Sequence, residues 1–185
     1  MLQVICILFL LICMSLLLQH FRSIHARMYT FLVIGIFAAY SIGNIYCTLL
    51  SRMPSENATI ELVPFAVYSR LFRASPVGSK RVVGLFGLFM NGTLPITGLI
   101  LNILLYYPLG YLLPILFPKL KPKHIILVGC LCSIATEVTQ YILKLGWCET
   151  DDVIHNTLGT AIGVWVWLWQ SQRMRKQKKQ KEEHN

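Results

Sequence analysis

The residues best suited to chemistry lie between Ser133 and Asn156. Ser133, Glu137, Gln140, Tyr141 and Lys144 are related by three- or four-residue steps, so a helix would carry them on one face. Just beyond, Glu149, Asp151 and Asp152 place three acids within four positions, followed by His155 and Asn156. On a second helical start, Asp152 and Asn156 share one face, as do Asp151 and His155. Further upstream, Asn102 and Tyr106 are one turn apart and able to face one cavity.

Such a set suits several kinds of chemistry. A buried carboxylate such as Glu137 is a candidate general acid or base. Acids and amides gathered around a wet vestibule also form a ligand site, lined here by Asn102, Tyr106, Ser133, Glu137, Gln140, Asp152 and Asn156. A structural alternative has Glu137, Gln140, Asp152 and Asn156 lock two helices together through polar contacts. A proton relay is weaker, because Glu137 is the sole acid within a long apolar run. Ser133 has no histidine on its own helix, leaving His155 as its one candidate partner for nucleophilic catalysis. Lys144, two turns past Glu137, either reaches back towards the carboxylate or snorkels outward.

The chain that must position these residues is 55% hydrophobic and only 14% charged over 185 residues. That is too apolar for an ordinary soluble domain. About 20 apolar residues span a bilayer as a helix, and five segments qualify or nearly so. They run from Met1 to about Leu18, about Tyr29 to Leu50, about Gly98 to Phe117, His124 to Leu143, and about Asn156 to Trp169. The expected fold is all-α, a polytopic membrane bundle of about five transmembrane helices with an interfacial or re-entrant segment. An ionised Glu137 in hydrocarbon would cost on the order of a few kcal/mol, so its face must turn to protein or to water. Trp165, Trp167 and Trp169 are expected to form an interfacial aromatic belt.

The connection between the second and third spans is less regular. Ile60 to Arg73 reads as a short helix, either lying in the interface or simply connecting. Gly84, Gly87, Gly92 and Pro95 make Val82 to Gly98 a poor straight helix and suggest a re-entrant segment. Asn57 and Asn91 each open a chance-level glycosylation pattern. Six cysteines show no metal-ligand spacing, so no metal or cofactor is expected; a Cys47–Cys148 bridge is a minor alternative.

Charge sets the expected orientation. Arg173, Arg175, Lys176, Lys178, Lys179 and Lys181 place the segment 171–185 in the cytoplasm as a basic tail, and five spans then put the N-terminus outside. The Lys119, Lys121 and Lys123 turn falls inside and the acidic turn outside. Arg52 and other cations in the 51–97 connection oppose this scheme. The tail has affinity for anionic lipid headgroups, and without interleaved aromatics it gives no sign of nucleic-acid binding.

Three blocks, NILLYYPLGYLLP, SIATEVTQYILKLG and DDVIHNTLGTAIG, resemble the signature of the VanZ-like membrane proteins. Val63-Pro64-Phe65 resembles an upstream Pro-Phe element of that family. The signature falls within residues 102–163 of a domain expected to cover 1–170. By resemblance, Asn102, Pro108, Gly110, Ser133, Glu137, Gln140, Asp152, Asn156 and Gly159 carry over. Glu149 stands where an Asp is usual, and the loop lacks an early Arg that many relatives have. The resemblance implies a bacterial plasma-membrane protein, its founding members linked to teicoplanin-type resistance. Membrane lipids are the expected partners, with a lipid-linked wall precursor or a lipoglycopeptide as candidate ligands. No activity is firmly defined for the family. The sequence leaves oligomeric state open.

Overall fold

The computed structural model describes residues 2–21, 26–54, 60–65, 96–146 and 148–183. Among these residues five α-helices dominate: α1 Leu2–Phe21, α2 Ala26–Ile45, α3 Ile96–Leu116, α4 Pro122–Ile142 and α5 Thr150–Glu183. A π-helical turn, Tyr46–Leu50, continues α2. Two two-residue strands, β1 Ile60–Glu61 and β2 Cys148–Glu149, pair in parallel. The fold is an all-α helical bundle. Among the described residues three stretches are long and apolar enough to cross a membrane, Met28–Leu50, Thr97–Leu116 and Pro122–Ile142, which fits a membrane protein.

Each helix follows from local chemistry. Pro122 opens α4, where its missing N–H costs nothing. The last turn of α4 closes with Lys144 N–H on the Tyr141 carbonyl at 3.1 Å and Leu145 N–H on that of Gln140 at 2.8 Å. That is a Schellman closure, with Lys144 in the left-handed position (φ 54°) that glycine usually fills. Pro108 and Pro114 lie within α3, which continues past both.

Contacts fix the direction of every helix. Asn102 meets Asp152 and Tyr111 meets Gln170, so α3 and α5 run parallel. Asn156 meets Ser133, and a Cβ on Gly129 would strike Thr160, so α4 runs antiparallel to α5. Ser15 of α1 meets Tyr107 at 3.0 Å, and the Thr48 carbonyl at the end of α2 meets Gln140. Directions therefore alternate along the chain. One end of the bundle gathers the ends of α2 and α4 with the starts of α3 and α5. The opposite end holds the Lys119–Lys123 turn and the basic part of α5.

The core forms where α3 and α5 touch backbone to backbone. A Cβ at Gly110 would overlap the Thr160 carbonyl; at Gly159, that of Ile103; at Gly163, that of Tyr107. Thr160 is fully buried between Gly110 and Gly129, a junction of α3, α4 and α5. Around it pack Tyr106, Leu109, Leu113, Ile125 and Val164. A second cluster, Leu18, Val33, Tyr111 and Leu112, joins α1 and α2 to α3.

Several expectations change. The fifth helix does not stop at Trp169; the basic segment continues it to Glu183. Trp165 and Trp169 are exposed, whereas Trp167 packs against the second core cluster, so the three do not share one outward face. Residues 60–65 form a strand and a turn in place of a helix, because their backbone pairs with β2. Arg70, Arg73, Asn57, Asn91 and most of Val82 to Gly98 lie outside the described residues. Cys47 and Cys148 are free thiols.

Valine at Gly159 or Gly163 forces the α3–α5 backbones apart, and overpacking of this kind costs about 1–3 kcal/mol or more. The folded, monodisperse yield in detergent is expected to collapse for both. Gly35→Ala, whose Cβ would meet nothing within 4 Å, is expected to behave as wild type in the same assay.

Candidate functional site

The polar residues of α4 separate cleanly by exposure. Ser133, Glu137 and Gln140 are 0%, 3% and 2% exposed, whereas Tyr141 is 41% exposed and Lys144 also faces outward. The expected shared face therefore ends at Gln140. Tyr141 sits roughly 80° round the helix from Ser133 at 3.6 residues per turn, and Lys144 lies past the helix end.

Helix α5 answers this face. Asn156 Nδ2 donates to Ser133 Oγ at 2.8 Å, and Asn102 Nδ2 donates to Asp152 Oδ1 at 2.7 Å. The N–H of Glu149, in β2, donates to Glu137 Oε2 at 3.1 Å. Gln140 Nε2 donates to the Thr48 carbonyl at 3.0 Å, one of the carbonyls left open where α2 ends. Asp152 is close enough to Glu137 to act on it electrostatically. Tyr106 turns to α4, its hydroxyl 3.2 Å from Thr136 Oγ1 and near Ser133, so it does not share the cavity that Asn102 lines. Asn102, Tyr106, Ser133, Glu137, Gln140, Asp152 and Asn156 are thus brought together at one end of the bundle.

The cation of this cluster is Arg52, which sequence reasoning treated as a misplaced loop charge. Its guanidinium acts on both Glu137 and Asp152, and its Nη1 would lie 3.1 Å from a Cβ on Gly146. Gly146 is therefore constrained twice, by this approach and by its φ of +146°. Asp152 lies ahead of the apolar part of α5. Burial holds its carboxyl above the usual range, while Arg52 and then His155 act in the opposite direction. No signal in the sequence joins Arg52 to acids about 85 and 100 residues away.

Phe65, marked in the sequence only through the resemblance of Val63-Pro64-Phe65 to a Pro-Phe element, also reaches the cluster. Its backbone N–H donates to Asp151 Oδ1 at 2.5 Å, from a left-handed conformation (φ 62°) uncommon outside glycine. The Val63-Pro64-Phe65 element thereby latches the 60–65 segment onto the first turn of α5, beside the β1–β2 pair. His155 Nδ1 bonds the backbone carbonyl of Asp151, and Ser133 Oγ is engaged by Asn156. Neither of these two contacts is a Ser–His pair.

Donors and acceptors do not balance. Among the described residues, Gln140 Oε1 and Asn156 Oδ1 are buried without a hydrogen-bond partner in this cluster, as are the hydroxyls of Thr97 and Ser171 elsewhere in the bundle. An unmet buried acceptor costs about 1–3 kcal/mol. Two such oxygens beside two carboxylates make the cluster rich in acceptors and short of donors. Beside it opens a cavity of about 890 Å³ between α1, α2 and α3, walled by residues including Leu10, Leu11, Gly43, Leu104, Asn102 and Arg52.

A family model for VanZ/LLP1 matches residues 6–171, most of the chain. The chain belongs to the VanZ/LLP1 family. No curated protein and no solved structure matches it. Within the family match, the blocks that carry the resemblance meet in space: α3 supplies Asn102, α4 supplies Ser133, Glu137 and Gln140, and α5 supplies Asp152 and Asn156. Gly110 and Gly159 serve the helix crossing beneath them.

Since Lys144 occupies a left-handed position and the site cation is Arg52, Lys144→Gly is expected to raise the thermal unfolding midpoint. The gain should be about 1 kcal/mol, the cost of placing a residue with a Cβ in that conformation. A lower midpoint in detergent would mean that the Lys144 side chain itself stabilises the site.

Proposed function

We propose that this VanZ/LLP1 protein is a multi-pass protein of a bacterial plasma membrane whose polar end faces outward. There it binds a component of the cell envelope and contributes to resistance against glycopeptide or lipoglycopeptide antibiotics of the teicoplanin type. The carrying observation is the pair of buried, unpartnered oxygens on Gln140 and Asn156, set beside Glu137 and Asp152. A cluster serving only as a lock between helices would be expected to satisfy its own members. This one ties α4 to α5 through Asn156 and Ser133 yet leaves acceptors over.

The orientation rests on charge. Lys119, Lys121 and Lys123 and the basic part of α5 share one end of the bundle, and the polar cluster occupies the other. The preference of Lys and Arg for the cytoplasmic side then supports an outward-facing site.

The test is antibiotic susceptibility of a teicoplanin-susceptible bacterium expressing the protein. Glu137→Gln and Asp152→Asn each remove a charge-assisted acceptor, on the order of 1.5–3 kcal/mol, equivalent to about tenfold or more in binding. Both are expected to abolish protection at equal membrane levels. Tyr111→Phe removes the hydrogen bond to Gln170 at the far end and is expected to keep protection. Protection that survives both acid substitutions would end the proposal.

A further inference from the structure

Resting on the reading of the polar end as a binding site, we infer that its ligand is a phospholipid-type amphiphile. Its headgroup carries a phosphate beside a primary ammonium, and an acyl chain lies in the groove between α1, α2 and α3. Three observations lead there.

The first is the groove itself. At about 890 Å³ it lies within the roughly 300–1,000 Å³ of small-molecule sites. Its walls are mostly apolar, and among the described residues Arg52 is its one charged lining residue. Two of its walls, α2 and α3, are helices apolar enough to cross a membrane, so a hydrocarbon chain is the matching occupant.

The second is continuity. Arg52, Asn102 and Thr48 line the groove, and each also serves the polar cluster. Asn102 donates to Asp152, the Thr48 carbonyl accepts from Gln140, and Arg52 acts on Glu137 and Asp152. One ligand can therefore occupy both spaces, its apolar part in the groove and its polar part in the cluster.

The third is the chemistry of the cluster. A guanidinium at the groove rim suits a phosphate. In the cluster that shares Arg52, Asn102 and Thr48 with the groove, Glu137, Asp152 and the unpartnered oxygens of Gln140 and Asn156 are all acceptors. A primary ammonium brings three donors and one positive charge, and so answers both the surplus of acceptors and the acid pair. A hydroxyl brings donors without charge, and a quaternary ammonium brings charge without donors.

Gly43 provides a clean variant. It lines the groove, a Cβ there would meet nothing within 4 Å, and it has no part in the polar cluster. The full-length protein, delipidated in neutral detergent, is titrated with phosphatidylethanolamine, phosphatidylglycerol, phosphatidylcholine and chain-free glycerophosphoethanolamine. Binding is read by thermal shift, and lipid retained on purification is read by mass spectrometry. Phosphatidylethanolamine is expected to bind tightest, by at least about tenfold over the other three, as expected for lost charged hydrogen bonds. Gly43→Trp and Arg52→Gln are each expected to weaken it by a similar factor. Equal binding of phosphatidylcholine would refute the ammonium, and equal binding of glycerophosphoethanolamine would refute the chain. Wild-type affinity in Gly43→Trp would place the chain outside this groove. If Gly43→Trp binds as wild type while Glu137→Gln still loses antibiotic protection, the lipid assignment fails and the outward polar site stands. If neither variant changes anything, both fail.

Discussion

The structure depends on the contact between α3 and α5, where two backbones meet with no side chain between them. In a membrane the hydrophobic effect does not drive helices together, so close packing and hydrogen bonds must. Gly110, Gly159 and Gly163 permit that packing, and the carbonyls of Thr160, Ile103 and Tyr107 fill the space that side chains would otherwise take. Thr160 then serves as a wedge, with its backbone against α3 and its side chain against Gly129 of α4. Sliding either helix by one residue would drive a Cβ into a carbonyl. Register along the whole pair is therefore set at the centre and read out at both ends. Asn102 meets Asp152 at one end, and Tyr111 meets Gln170 at the other.

Given that register, the polar cluster is a consequence of where the helices begin and end. Helix α4 ends as α5 begins, so Glu137 sits beneath a short turn whose backbone can reach it, and the Glu149 N–H does. The carboxylates recruit donors from backbone on the connecting segments, Glu149 for Glu137 and Phe65 for Asp151. Amide side chains recruit partners from neighbouring helices, Gln140 from α2 and Asn156 from α4. The remaining oxygens of those amides find no donor among the described residues. A buried network is normally satisfied throughout, because low dielectric strengthens each bond and penalises each omission. The two open amide oxygens are the observation on which the proposed ligand rests.

Much of this was legible in the sequence, for a simple physical reason. Helical phase is local, so Ser133, Glu137 and Gln140 could be assigned to one face, and Asp152 with Asn156 to another, before any packing was known. Hydropathy is equally local, and the observed helices start and stop within a few residues of the expected spans, apart from the extension of α5. Phase reasoning fails once the helix stops. Lys144 has the right spacing for the shared face, but the Schellman turn rotates it away. The glycine contact was also in plain sight, since Gly159 and Gly163 stand four residues apart in an apolar run, the small-residue spacing of close helix pairs. What no local pattern could provide was Arg52 or Phe65. Each joins the site only through tertiary contact, across 86 positions for Phe65 and Asp151.

Arg52 also changes how the charge pattern should be read. Counted as a free loop charge, it argues against placing the 51–97 connection on the outer side. Held over Gly146 and acting on Glu137 and Asp152, it is instead part of a compensated cluster with a net excess of acids. A cation that belongs to such a cluster is stabilised by its acids wherever they lie, so its position reports the site more than the topology. With Arg52 set apart, Lys144 stays as an exposed cation at the polar end, while the lysines at 119, 121 and 123 and the basic part of α5 cluster at the other. They are the ones to which the preference for the cytoplasmic face applies, and they lie at the opposite end from Glu137.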